Sequence, residues 1–134
     1  MKPSMLDTDI LSEFLRGNEK VIVNVDAHLK EHGHISLSII TYYEILNGLL
    51  YKDAKKQLKR FQEFVKLNKV IPLTQRSAKE AAQIQAKLRK KGREIGHTDT
   101  LIAGIALSNN LQLISNNTAH FNRIKNLALE NWMK

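Results

Sequence analysis

Along the chain, apolar runs of strand length alternate with stretches whose apolar residues recur every three or four positions. Ser4 to Leu6 reads as a short buried strand, after which Asp7 or Thr8 can cap a helix from about Asp9 to Leu15 that stops at Gly17. Val21, Val25 and Leu29 lie on one face of a second helix, Glu19 to Glu31, closed by a turn at Gly33. His34 to Ser38 is the next strand-like segment. Thr41 and Glu44 then stand at capping-box spacing, predicting a helix whose buried stripe is Ile39, Tyr43, Leu46 and Leu50.

From Asp53 to Leu67 a strongly basic helix turns Leu58, Phe61 and Val65 inward and Lys52, Lys55, Lys56, Lys59 and Arg60 outward. Lys69 to Leu73 returns to strand character, with Pro72 marking an exposed end. Thr74 can cap a helix carrying Ala81, Ile84 and Leu88, which ends in Arg89, Lys90 and Lys91 before Gly92. Thr98 is the expected cap of a helix from Asp99 to Ser108, and Leu111 to Ile114 is a fourth strand. Asn116 to Thr118 turns into a short helical segment through Phe121, and Leu127 to Leu129 is a candidate edge strand.

Strands that alternate with helices predict an α/β fold: a mostly parallel central sheet of four to five strands flanked by helices. At 134 residues, one domain spanning 1–134 is expected. In such sheets ligands bind at the carboxyl ends of the strands. Asp7 and the turn from Ser115 to Thr118 share that edge, because each follows a strand.

Composition narrows the chemistry. With 43% hydrophobic and 25% charged residues, the chain has the balance of a globular protein. It has no cysteine, which removes disulfide scaffolds, thiolate zinc sites and cysteine nucleophiles. The N-terminus is too short in apolar residues and too acidic for a signal peptide, and Leu101 to Leu107 is far below the ~20 residues that span a bilayer. A cytoplasmic location without membrane contact is the expectation. Twenty-one basic against 13 acidic residues give a net charge of +8, which favours a polyanionic partner such as nucleic acid.

Each candidate acid also has an ordinary structural role. Asp7 can be a helix cap, Glu44 the partner of Thr41 in a capping box, and Asp99 a first-turn acid favoured by the helix dipole by ~0.3 to 1 kcal/mol. Their settings argue for more. Asp7 follows a buried run, and Asp99 is embedded in Ile95-Gly96-His97-Thr98-Asp99-Thr100-Leu101-Ile102-Ala103. Oxygen ligands without Cys or paired His suit a hard cation, Mg²⁺ or Mn²⁺. Such a site can activate water for phosphodiester hydrolysis.

Four segments together resemble the signature of PIN-domain nucleases: Leu6-Asp7-Thr8-Asp9-Ile10-Leu11, Glu44-Ile45-Leu46-Asn47-Gly48, Ile95 to Ala103, and Ser115-Asn116-Asn117-Thr118-Ala119-His120-Phe121. The resemblance is nearest to the VapC toxins of toxin–antitoxin pairs. It implies an Mg²⁺- or Mn²⁺-dependent endoribonuclease in which Asp7, Glu44 and Asp99 hold metal and position the attacking water. It also implies a homodimer restrained by a cognate VapB-like antitoxin. Thr8 is the expected supporting hydroxyl. The fourth segment carries Asn117 where the family often has another Asp, which weakens a second metal site. Asp9 is expected to face solvent, His97 to be a structural or surface residue, and Trp132 and the tyrosines to pack in the core or an interface.

Two other functions compete. Asp7-Thr8-Asp9 after a strand is similar to the nucleophile and acid of haloacid-dehalogenase-type phosphatases, but Ile10-Leu11 replaces the Gly-Thr of that motif and Asp99 lacks a neighbouring acid. A catalytically silent RNA- or antitoxin-binding module on the same fold is the other. It has no use for converging negative charge.

Overall fold

The computed structural model describes residues 1–134. Its centre is β1 (Ser4–Leu6), every residue of which is buried. Alternation sends neighbouring side chains to opposite faces. Met5 joins a cluster with Leu113, Ile102, Ile105 and Phe121, while Leu6 joins one with Leu37, Ile10, Val25 and Ile114. A strand buried on both faces must be covered by helices on both, and the rest of the chain supplies them.

Helix α1 (Thr8–Arg16) starts on Asp7 and ends at Gly17, whose φ of 91° places it in the left-handed region open to glycine. Helix α2 (Glu19–His32) follows, then β2 (Ser36–Ser38), α3 (Ile39–Lys52), α4 (Lys55–Leu67) and β3 (Lys69–Ile71). Helices α5 (Gln75–Lys90) and α6 (His97–Ser108) lead to β4 (Gln112–Ile114), α7 (Thr118–Phe121) and β5 (Leu129–Glu130). The five strands are all parallel in the order β3-β2-β1-β4-β5. The chain therefore steps outward from β1 through β2 to β3 on one side, then crosses back through α5 and α6 to β4 on the other side of β1. The crevice at the carboxyl ends of β1 and β4 is the switch point where such sheets place their sites.

Two helix registers differ from the sequence expectation. Helix α3 is capped by Ser38, whose Oγ accepts from the Thr41 amide at 3.0 Å, so Thr41 and Glu44 form no capping box. Its buried positions are Thr41, Ile45 and Leu49, whereas Tyr43 and Leu50 are 66% and 59% exposed and Ile39 is also exposed. The start at Ile39 rotates the helix so that a small hydroxyl packs on the sheet and the larger aromatic faces out. Helix α6 begins at His97 behind Gly96, with no side-chain cap, and Thr98 is exposed. Ile95 is buried and held through both its backbone groups by the Gln85 amide, which fixes where the helix starts.

Helices α5 and α6 approach closely at Gly104, where an added Cβ would lie 2.5 Å from the Ser77 carbonyl oxygen. Trp132 is 2% exposed and belongs to the core, its ring 6.2 Å from that of buried His28. No helix is long and apolar enough to cross a membrane.

Candidate active site

The turn after β1 places Asp7 at the switch point with 5% of its surface exposed. Asp7 Oδ1 accepts from the Thr8 amide at 2.8 Å, which is the helix cap, and Oδ2 accepts from the Ser115 hydroxyl at 2.7 Å. The cap and the site are therefore not alternatives, because one carboxylate oxygen serves each. Ser115 follows β4, so this bond joins the ends of two adjacent strands.

Asp9 turns toward the same edge rather than solvent. Its Oδ1 accepts from the Ile10 amide at 2.7 Å and its Oδ2 from the Asn116 amide at 3.0 Å. The amide of Asn116 has no strand partner beyond β4, and Asp9 satisfies it, which draws the side chain inward.

Glu44 comes from the second turn of α3. The Thr8 hydroxyl donates to Glu44 Oε1 at 2.7 Å and lies 3.0 Å from the Thr41 hydroxyl. Thr8 thus ties α1 to α3 through a carboxylate. Asp99 comes from the first turn of α6, on the opposite side of the sheet. Asn117 Nδ2 donates to Asp99 Oδ2 at 3.2 Å, and His120 Nδ1 lies 3.1 Å from the same oxygen and 2.9 Å from Asn117 Nδ2. All five sequence-selected residues, Asp7, Thr8, Glu44, Asp99 and Asn117, meet at this edge.

Ser115 and Asn116 lie in the turn that the strand order placed at this edge, though neither was picked as a site residue, and His120 is a contributor that composition and spacing did not single out. For His120 the usable signal is its place three residues after Asn117 on the single turn of α7, which puts both side chains on one face. His97, by contrast, is exposed and bonds to none of the acids.

Electrostatically, this edge is strained. Burial pushes the Asp7 carboxyl up to about 7, repulsion from Asp9 and Asp99 pushes the same way, and the Ser115 hydroxyl and Thr8 amide oppose them. Burial also raises Asp9 above the usual carboxylate range, against the Asn116 and Ile10 amides. No Lys or Arg pairs with any of the four acids, and His120 is the one basic side chain in ion-pair reach. The four carboxylates therefore offer oxygen donors that no Lys or Arg compensates, which suits a hard divalent cation. No three His, Asp or Glu side chains close up as a ready ligand set, because each acid is held by its own hydrogen-bond donors.

Compared with known families, residues 4–127 match the PIN domain. The chain belongs to the PIN-domain family. Ribonuclease VapC1 of Haemophilus influenzae (strain R2866) is 31% identical over 132 residues, 97% of this PIN-domain chain and 98% of the relative. The tRNA(fMet)-specific endonuclease VapC of Shigella flexneri is 32% identical over 129 residues, 96% of each. Among solved structures, DNA-bound VapBC from Salmonella typhimurium superposes with a TM-score of 0.88 at 28% identity, covering 98% of this chain and 99% of that one. VapBC2 from Rickettsia felis, bound to a promoter DNA fragment, gives 0.87 at 28% identity over 96% and 98% of the two chains. Family membership sets aside the phosphatase reading of Asp7-Thr8-Asp9.

Proposed function

We propose that this PIN-domain protein is an Mg²⁺- or Mn²⁺-dependent endoribonuclease acting in the cytoplasm as the toxin of a type II toxin–antitoxin pair. The carrying observation is the acidic edge at the β1/β4 switch point, centred on buried Asp7 with half-buried Asp9, Glu44 and Asp99, which no Lys or Arg neutralises. In this reading Asp7, Glu44 and Asp99 hold the cation, and Thr8 and Asn117 support them. The VapC relatives and the VapBC assemblies support the toxin role and a VapB-like antitoxin partner. A homodimer is part of the same proposal.

When bound, a divalent cation supplies acidification of a water and charge opposite the scissile phosphate. The chain's own part is orientation. Ser115 and the Thr8 amide fix the two oxygens of Asp7, the Thr8 hydroxyl fixes Glu44, and Asn117 with His120 fixes Asp99. Each carboxylate is thereby aimed from a different element, so side-chain freedom is given up in folding rather than in binding. Asn117 offers an amide where a further carboxylate would add charge, which favours one tightly held cation over two.

The test is cleavage of labelled RNA with Mn²⁺ by the wild type, Asp7→Asn and Asp99→Asn. Cleavage by the wild type with loss of at least about 100-fold in each variant is expected. RNA that is bound but left intact by the wild type would instead favour the silent binding module.

A further inference from the structure

The acidic edge creates a difficulty for an enzyme of RNA, because a polyanion approaching four carboxylates is repelled until they are neutralised. Binding strength must come from elsewhere on the molecule. The net charge of +8 provides it only if the cations are free and gathered. They are free: of 21 Lys and Arg side chains, only Arg16 pairs with a carboxylate, Glu13 at 3.1 Å.

One gathering is concave. A cavity of about 310 Å³ lies between α5 and the segment after α7, rimmed by Lys87, Lys91, Arg123 and Lys125 and floored in part by Ile84 and Ile124. Glu80 is the one acid on its lining. Arg123 is held in place: its Nη1 donates to the Arg93 and Glu94 carbonyls, each at 3.3 Å. Those carbonyls belong to the loop that leads into α6 and Asp99, while Arg123 itself follows α7 and His120. Phe121 and Ile124 are both buried and join the cavity to the acidic edge by a short anchored segment. The basic face of α4 has comparable charge, but the hollow beside that helix, about 490 Å³ between Tyr42, Leu46, Phe61 and Val65, carries Lys66 as its one cation.

We infer that this cavity is a second anchoring site for the RNA backbone, outside the reacting centre. The four cations take phosphates, and the apolar floor takes a ribose or base face. The inference rests on the endoribonuclease reading and deepens it: the substrate would be a folded RNA long enough to reach both the cavity and the acidic edge.

Binding of fluorescently labelled unfractionated tRNA across a salt series tests this, with Lys87→Gln/Lys91→Gln/Lys125→Gln beside a control, Lys2→Gln/Lys20→Gln/Lys30→Gln, that removes the same charge from scattered sites. Thermal melts check that both remain folded. The cavity variant should bind about tenfold more weakly and lower the slope of log K against log salt by about 2, whereas the control should change each much less. With Mn²⁺, cleavage of a pentanucleotide should be alike in wild type and cavity variant. Wild-type cleavage with equal tRNA binding by both triple variants would overturn the anchoring site and leave the endoribonuclease reading standing. A wild type that neither binds nor cleaves RNA would overturn both.

Discussion

At the scale of single residues, Asp7 carries the sharpest conflict between stability and function. Its carboxyl is raised from 3.8 to about 7, so the folded chain keeps a proton that the unfolded chain releases above about pH 4. The stabilisation is fully present below that pH and is lost as pH rises through about 7. In metal-free protein, melting temperature should therefore fall between about pH 4 and pH 7 and level off above, and Asp7→Asn should flatten that fall by an amount on the order of a few kcal/mol. Equal slopes in the two proteins would remove Asp7 as the cause. Asp9 shows where sequence reading stops. Nothing in Asp7-Thr8-Asp9 says that an unpaired backbone amide, at Asn116, waits 107 residues later to turn Asp9 inward. His120 is similar, for a lone histidine in a turn has no periodicity to announce it.

Among the elements, strands and most helices were legible because burial imposes period two or 3.6 on the apolar residues, and β1, α1, α2 and α5 lie close to their expected bounds. The register of α3 was not. Counting large apolar residues favoured Tyr43 and Leu50, yet the sheet is faced by Thr41, Ile45 and Leu49, and this rotation is what frees Glu44 to meet Thr8. The small residues Ala103 and Gly104 suit close packing of α6 on the sheet, yet at Gly104 the close neighbour is α5. Gly104→Ala would gain about 1 kcal/mol of helix propensity, but its methyl would meet the Ser77 backbone oxygen at 2.5 Å and Ala81 Cβ at 2.9 Å. Overpacking against backbone should dominate, with a net loss of about 1 to 3 kcal/mol in denaturant unfolding. An unchanged or raised stability would mean that α5 moves away freely.

For the molecule as a whole, the sheet order brings acids from α1, α3 and α6 to one crevice, so the cation binding proposed above would be coupled to the entire fold. Mg²⁺ at about 100 times its dissociation constant should stabilise the wild type by about 2.7 kcal/mol, read as a rise of several degrees in melting temperature. Asp7→Asn should show little of that rise. Equal stabilisation of both proteins would place the cation elsewhere. The bond between Asp7 and Ser115 also bears on time. These residues are 108 positions apart, and β1 is flanked on one side by a strand that begins only at Gln112. Such long loop closure makes completion of the centre a late event in folding. During translation, the carboxylates of α1 and α3 leave the ribosome well before the strand that orders them. On the proposed endoribonuclease reading, a chain still lacking its last strands has not assembled the Asp7–Ser115 end of the site, so the topology would delay RNA cleavage until synthesis is nearly finished.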